Sequence, residues 1–158
     1  MHATWARIGS QPQIPSRGER NTQKIFGAVR LDTAKFVYFH QQDYFQWETY
    51  VAFLDRILMP AFYRRGHRVF LIQDNASYHK KQETYDWFAQ NRRFVEVFQL
   101  PPYWPELNAA ERIWNYTRKH ATHNRYFEAP AQLRTALFRT FRQVQRKRHA
   151  EHHYSKKS

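Results

Sequence analysis

The stretch VFLIQDNASYHK, residues 69–80, decides how this chain folds. Val69–Gln73 is a continuous apolar run too short for a typical helix, and a run of that kind reads as a strand covered on both faces. Asp74-Asn75 ends it. A carboxylate held where a buried strand opens into a loop occupies the usual ligand position of an open α/β sheet, and its oxygens suit a hard cation. The same Asp-Asn pair serves equally well as a plain turn, so the two residues alone do not choose between chemistry and chain reversal. For His79, close to the start of the next helix, a structural or solvated role is the expectation.

Working outward, Gln82–Gln90 is predicted to be helical, and Phe94–Leu100 is a second strand stopped by Pro101-Pro102. After the proline-marked loop PPYWPELN a helix is expected from Asn108 to about Ala121. Upstream, Ile25–Leu31 and Lys35–His40 form a hairpin around Asp32-Thr33-Ala34. Trp47, Tyr50, Val51, Leu54, Ile57 and Leu58 recur at helical steps, and Pro60 is expected to end that helix. Residues 10–24 read as an exposed loop. A last helix, Ala131–Arg148, aligns Leu133, Leu137, Phe141 and Val144, and residues 149–158 read as a disordered basic tail. A hairpin followed by alternating helices and strands implies an α/β fold, a mixed sheet with helices on its faces, in one domain over 1–148.

Charge narrows the partners. Lys and Arg number 26 against 13 Asp and Glu, a formal balance of +13 with pI ≈ 10.3. A polyanion that relieves this self-repulsion is the natural partner, and nucleic acid fits better than a membrane surface because the basic residues are interleaved with aromatics along the chain. Between Arg112 and Ser158 twelve Lys and Arg face two Glu. Arg134, Arg139, Arg142, Arg146, Lys147 and Arg148 surround the apolar stripe of the last helix, and Arg118 and Lys119 lie on the helix before it. These residues are expected to meet phosphates. No apolar run reaches membrane-span length and the N-terminus has no signal-peptide core. Without cysteine there is no disulfide or thiolate zinc site, which is compatible with a cytoplasmic setting. His149, His152 and His153 read as part of the solvated tail.

Glu111 lies in the first turn of its helix. Asn108-x-x-Glu111 matches a capping box, in which the glutamate reaches back to the Asn108 backbone N–H. Asn115 and Arg118 share its face, an arrangement that also suits a metal–phosphate site. Spacing alone favours the cap.

Two blocks together carry more than either carboxylate. LIQDNASYHK (71–80) and LPPYWPELNAAERIW (100–114) resemble the signature blocks of insertion-sequence transposases in the mariner-like DDE superfamily, and the 36-residue interval from Asp74 to Glu111 fits that pattern. Trp5, Gly9 and Pro12, followed by the IFGAV strand, are similar to the segment after that family's first catalytic Asp. The resemblance implies a ribonuclease-H-like fold, with Asp74 and Glu111 as the second and third carboxylates and as ligands of Mg²⁺ or Mn²⁺. It gives Asn75, His79 and Asn108 supporting roles. It implies cleavage and strand transfer of double-stranded DNA at transposon ends and target, with a homodimer or an upstream transposase segment as protein partner. Trp104, Glu106 and Ala109-Ala110 depart from the usual residues.

The same resemblance implies that the first Asp, and the central strand that carries it, lie before Met1. Neither Asp32 nor Glu19 replaces that Asp. The expectation is therefore an N-terminally truncated catalytic domain with impaired activity, nucleoid-associated in a bacterial cytoplasm. Two other readings are a non-catalytic basic DNA-binding protein and a ribonuclease-H-like nuclease acting on RNA hybrids.

Overall fold

The computed structural model describes residues 22–42, 44–101 and 107–154, with side chains as far as Arg146. Trp5, Gly9, Pro12, Glu19, Trp104 and Glu106 lie outside the described residues, as do the side chains of Lys147, Arg148, His149, His152 and His153.

Lys24–Val29 (β1) and Phe36–Gln41 (β2) pair antiparallel, from Lys24↔Gln41 to Val29↔Phe36. Arg30 N–H donates to Lys35 O at 2.9 Å to close the hairpin, and Ala34 takes the left-handed turn conformation (φ 44). The strands are half buried and rich in aromatic and β-branched residues, which fit a pleated surface. Trp47–Phe53 (α1) follows. The sequence places a stop at Pro60, yet the chain winds on through a π-turn at Leu54–Leu58 into Met59–Phe62 (α2). The π-turn explains the difference. Its wider hydrogen-bonding step brings Pro60 in at the first turn of a new helical segment, where the missing N–H costs least.

Val69–Gln73 (β3) runs parallel to Val95–Gln99 (β4), from Val69↔Val95 to Gln73↔Gln99. Their crossover contains a 3-10 turn at Ser77–Lys80, which the sequence reading missed, and Gln82–Gln90 (α3), whose bounds it gave. Phe26 and Val37 from the hairpin, Tyr50, Phe53, Leu54 and Leu58 from the long helix, Phe88 from α3 and Val95 from β4 form one buried cluster. Each aromatic or branched aliphatic side chain buried there contributes about 1.5–3 kcal/mol. Both strand pairs thus lean on the same helix.

Ala109–Thr117 (α4), a second π-turn at Arg118–Thr122, and Pro130–Tyr154 (α5) cover the other face of the hairpin. Phe36 meets Phe141 at 5.4 Å between ring centroids, Tyr38 meets Phe138 at 5.5 Å, and Gln145 Nε2 donates to Phe36 O at 3.1 Å. The α5 backbone is helical through Tyr154, into the segment expected to be a disordered tail.

Gly27 seats Trp114. A Cβ there would lie 2.7 Å from the indole ring, so only glycine lets α4 approach β1 this closely.

The architecture is α/β, a hairpin and a parallel pair flanked by helices, with one difference from expectation. The apolar run of β3 is covered on one face only among the described residues. Val69, Leu71 and Gln73 turn inward, whereas Phe70 is 64% and Ile72 49% exposed. The physical reason is that α4 and α5 are anchored on Gly27 and Phe36, one strand pair away.

Candidate functional site

Asp74 stands at the C-terminal end of β3, where the chain leaves the sheet. Its Oδ1 accepts the Ala76 N–H at 3.1 Å, an Asx-type turn that ends the strand. His79 is 6% exposed, and its Nδ1 lies 2.9 Å from Asp74 O and 3.1 Å from Asp74 Oδ1. Tyr50 and Tyr78 each stand 4.4 Å from the His79 ring. The imidazole is therefore clamped by packing and aimed at one carboxylate. The hydrogen bond from His79 holds the Asp74 carboxyl below the usual carboxylate range, against an opposing push from partial burial, and the Ala76 N–H adds to it. Asp74 is thus ionised at neutral pH, and its side chain remains 55% exposed. Burial pushes the Tyr78 hydroxyl up to about 12, and the Asp74 charge adds to that. Tyr50 is raised as well, chiefly by burial, and its hydroxyl donates to Gln73 Oε1.

Asn75 Nδ2 donates to Leu100 O, tying the loop after β3 to the end of β4. Asn108 caps α4 by accepting the Ala110 N–H at 3.0 Å. The reciprocal half of the expected capping box is not formed among the described residues. The Glu111 carboxylate instead meets Arg118 at 3.4 Å, and Arg118 also donates to Asn115. One reason is local. Continuing α4 into the π-turn keeps Arg118 on the Glu111 face, and a guanidinium competes well for a carboxylate.

Asp74 and Asn108–Ala110 line one cleft of about 690 Å³, whose walls are β1 and β3. Asp32 lines it too, exposed and bridged to Arg30 at 2.7 Å. Among the described residues no three His, Asp or Glu gather into a metal-binding group. Glu111 is not among the residues that line this cleft, and each carboxylate taken by itself is of the oxygen-donor type that a hard divalent cation takes.

The basic residues are placed more simply. Arg134, Arg139, Arg142 and Arg146 on α5, with Arg118 and Lys119 before it, are all exposed. A second cleft of about 600 Å³ is lined by Arg125, His120 and Arg139. Reasoning from the sequence did not single out Arg125 or His120 there, nor Tyr50 and Tyr78 beside His79. The available signal was the aromatic neighbour in Ser77-Tyr78-His79-Lys80; the others depend on long-range packing. Among the described residues no helix is long and apolar enough to cross a membrane.

Residues 1–134 match the family model described as DDE superfamily endonuclease. The chain is 29% identical over 131 residues to the insertion element IS630 uncharacterized 39 kDa protein of Shigella sonnei. That alignment covers 83% of this chain and 37% of the relative, so the chain spans well under half of the relative's length. In fold it is similar to a chain of the simian T-cell lymphotropic virus intasome solved in complex with the PP2A regulatory subunit B56 gamma. The TM-score is 0.51 at 14% identity, over 73% of this chain and 41% of that one. This likeness supports a ribonuclease-H-like fold, as the two sequence blocks implied. With the family model spanning most of its length, this chain belongs to the DDE superfamily of endonucleases.

Proposed function

We propose that the chain is part of a DNA transposase catalytic domain in which Asp74 and Glu111 are the metal-ligating carboxylates. The observation that carries this reading is the state of Asp74: ionised, half exposed, fixed by a buried histidine, and opening into the same cleft as the N-terminus of α4. A divalent cation such as Mg²⁺ or Mn²⁺, held by these two side chains, would supply charge stabilisation to a phosphodiester undergoing displacement. The chain's own residues do the positioning. His79 holds both the Asp74 backbone carbonyl and its carboxylate, Asn75 anchors the loop behind it, and Asn108 sets the start of the helix that bears Glu111. Arg118 balances the Glu111 charge and would pass to a DNA phosphate. Arg134, Arg142 and Arg146 would track the duplex backbone, with Lys119, Lys147 and Arg148 assigned the same role from the sequence. Such a substrate would locate the chain with the nucleoid of a bacterial cytoplasm.

The test is cleavage and strand transfer of end-labelled duplex carrying transposon ends, with Mg²⁺ or Mn²⁺, for the wild-type chain and for Asp74→Ala. Metal-dependent nicking lost in Asp74→Ala supports the reading. Salt-sensitive binding of the same duplex by both proteins, with cleavage by neither, supports instead a DNA-binding protein without chemistry, the alternative that the exposed arginines of α5 favour.

A further inference from the structure

We infer that Tyr44, Phe45 and Lys24 form a stacking site for one unpaired nucleotide of a DNA strand that passes Asp74. The inference rests on the proposed reading that the chain acts on DNA. It adds the form in which the strand is held: with a base free of its partner beside the carboxylate.

Local structure places the aromatic pair. Tyr44 and Phe45 lie between β2 and α1, directly before Gln46, the cap residue of α1. Gln46 N–H donates to Thr49 Oγ1 at 3.1 Å, which fixes the angle at which this segment enters the helix. Phe45 meets the buried Phe26 edge-on, 4.8 Å between ring centroids, yet is 39% exposed, and Tyr44 is 68% exposed. Lys24 extends from the start of β1, and its Nζ stands 5.4 Å from the Tyr44 ring centroid and 5.8 Å from that of Phe45. The ring quadrupoles attract the ammonium, which bonds no carboxylate among the described ion pairs.

A single exposed aromatic is ordinary on a protein surface. Two adjacent rings that share one cation and are braced on the core offer a defined chemistry, a π-surface with a positive charge at its side. A nucleotide matches both parts, its base stacking on a ring and its phosphate meeting the ammonium. Inside a duplex each base is already stacked between its neighbours, so only an unpaired base has a face to give. An apolar peptide would cover the rings and leave the Lys24 charge unanswered. A cationic ligand would be repelled by Lys24 and by the whole chain at +13.

Position ties this surface to the candidate site. The Tyr78 ring meets Phe45 at 5.7 Å on one side and His79 at 4.4 Å on another, and His79 Nδ1 is 3.1 Å from Asp74 Oδ1. The Asp74 charge also acts on the Tyr78 hydroxyl. A run of rings thus leads from the Asp74 carboxylate to the surface at Tyr44, and a strand held at Asp74 has a nearby nucleotide to lay there.

The experiment uses the full chain without divalent metal and two probes: a blunt duplex, and the same duplex with a short unpaired thymidine tail that carries one iodouracil. Irradiation is expected to cross-link the iodouracil to Tyr44 or Phe45, located by peptide mass spectrometry. In anisotropy titrations Tyr44→Ala should weaken the tailed duplex by about fivefold or more and leave the blunt one unchanged, because stacking is lost only where a base is free. Tyr44→Trp, which keeps a π-face, should restore tailed binding. Lys24→Gln should flatten the salt slope for the tail by about 0.7, the share of one single-strand phosphate. Three results overturn the inference: cross-links only on other elements such as α5, equal weakening of both duplexes by Tyr44→Ala, or no rescue by Tyr44→Trp. A chain that cross-links at Tyr44 yet never cuts when metal is added keeps this site and loses the proposed chemistry. One that cuts but cross-links elsewhere loses this site alone.

Discussion

At the scale of single residues, the arrangement around Asp74 distinguishes holding a carboxylate from merely having one. His79 is buried, packed between two tyrosines, and faces Asp74, so in the proposed site it would act as a positioning residue. Replacing it with alanine leaves the Asp74 carboxylate free to rotate and empties a packed site. His79→Ala is expected to lower metal-dependent cleavage by about 10–100-fold, the usual range for loss of an orienting partner. Duplex affinity, measured by anisotropy, should stay nearly unchanged, because the arginines of α5 are untouched. An equal fall in both would mean that the substitution had unfolded the site rather than loosened one ligand. His40 makes a different prediction. Its Nε2 lies 2.8 Å from Gln23 Oε1, and burial, followed by the charge of Arg134, pushes its pKa below the ordinary histidine value. The folded state thus favours the neutral ring, and the unfolded chain takes up the proton first. This contribution to stability is intact above about pH 6.5 and is lost as pH falls from there through the lower folded value. Urea midpoints for wild type and His40→Gln should therefore diverge between about pH 7.5 and pH 5, with wild type falling more steeply. Parallel curves would remove His40 from the acid response, since the other histidines are common to both proteins.

At the scale of elements, α4 approaches β1 through one close contact, while the same indole also meets Phe36 and Phe141. Trp114 rests where Gly27 has no side chain, and Glu111 rides on the same helix. Gly27→Ala puts a methyl group 2.7 Å from that ring and 3.0 Å from the ring of the buried Phe36, so both rings must shift. The expected cost is about 1–3 kcal/mol, and for a chain of this size about 2–4 °C of melting temperature per kcal/mol. In a Trp114→Leu background the same substitution should cost less than half as much, a coupling that a double-mutant cycle reads directly. Additive effects would show that α4 is held elsewhere. Most elements were legible in the sequence because their signals are local. The strand at Val69–Gln73, the helix at Gln82–Gln90 and the Asn108 cap each depend on a few neighbouring residues. Pro60 misled because a π-turn, which no residue pattern announces, reset the helix before it. The bare face of β3 was illegible for another reason. An apolar run records what a strand requires as cover, not which part of the chain supplies it. The candidate site divides in the same way. Asp74 and Glu111 stood out through the resemblance of their two blocks to those of the family, while Tyr50 reaches His79 only through tertiary packing.

At the scale of the whole molecule, a formal charge of +13 on 158 residues must act over distances longer than any one contact. The described acidic groups near the candidate site are each matched: Asp32 by Arg30, Glu96 by Arg68, Glu111 by Arg118. The arginines of α5 are exposed, and none bonds a carboxylate among the described ion pairs. An unmatched row of that kind on one long helix attracts a polyanion before any specific contact forms, and each phosphate it neutralises releases a counterion. Duplex affinity should therefore fall steeply with salt, with a slope of log K against log[salt] of about −0.9 for each phosphate met. Removing one contributor tests whether α5 is the surface involved. Arg142→Ala should flatten the slope by about one unit and weaken binding similarly for every duplex sequence, because a phosphate contact carries no base information. Arg92→Ala, an exposed change in the turn between α3 and β4, should leave the slope alone. If the two substitutions act alike, the charge works as a diffuse cloud and α5 has no privileged place in binding. If Arg142→Ala alone flattens the slope, the helix lies along the duplex, and packing through Phe36 and Phe141 fixes that duplex relative to the hairpin that forms one wall of the cleft lined by Asp74.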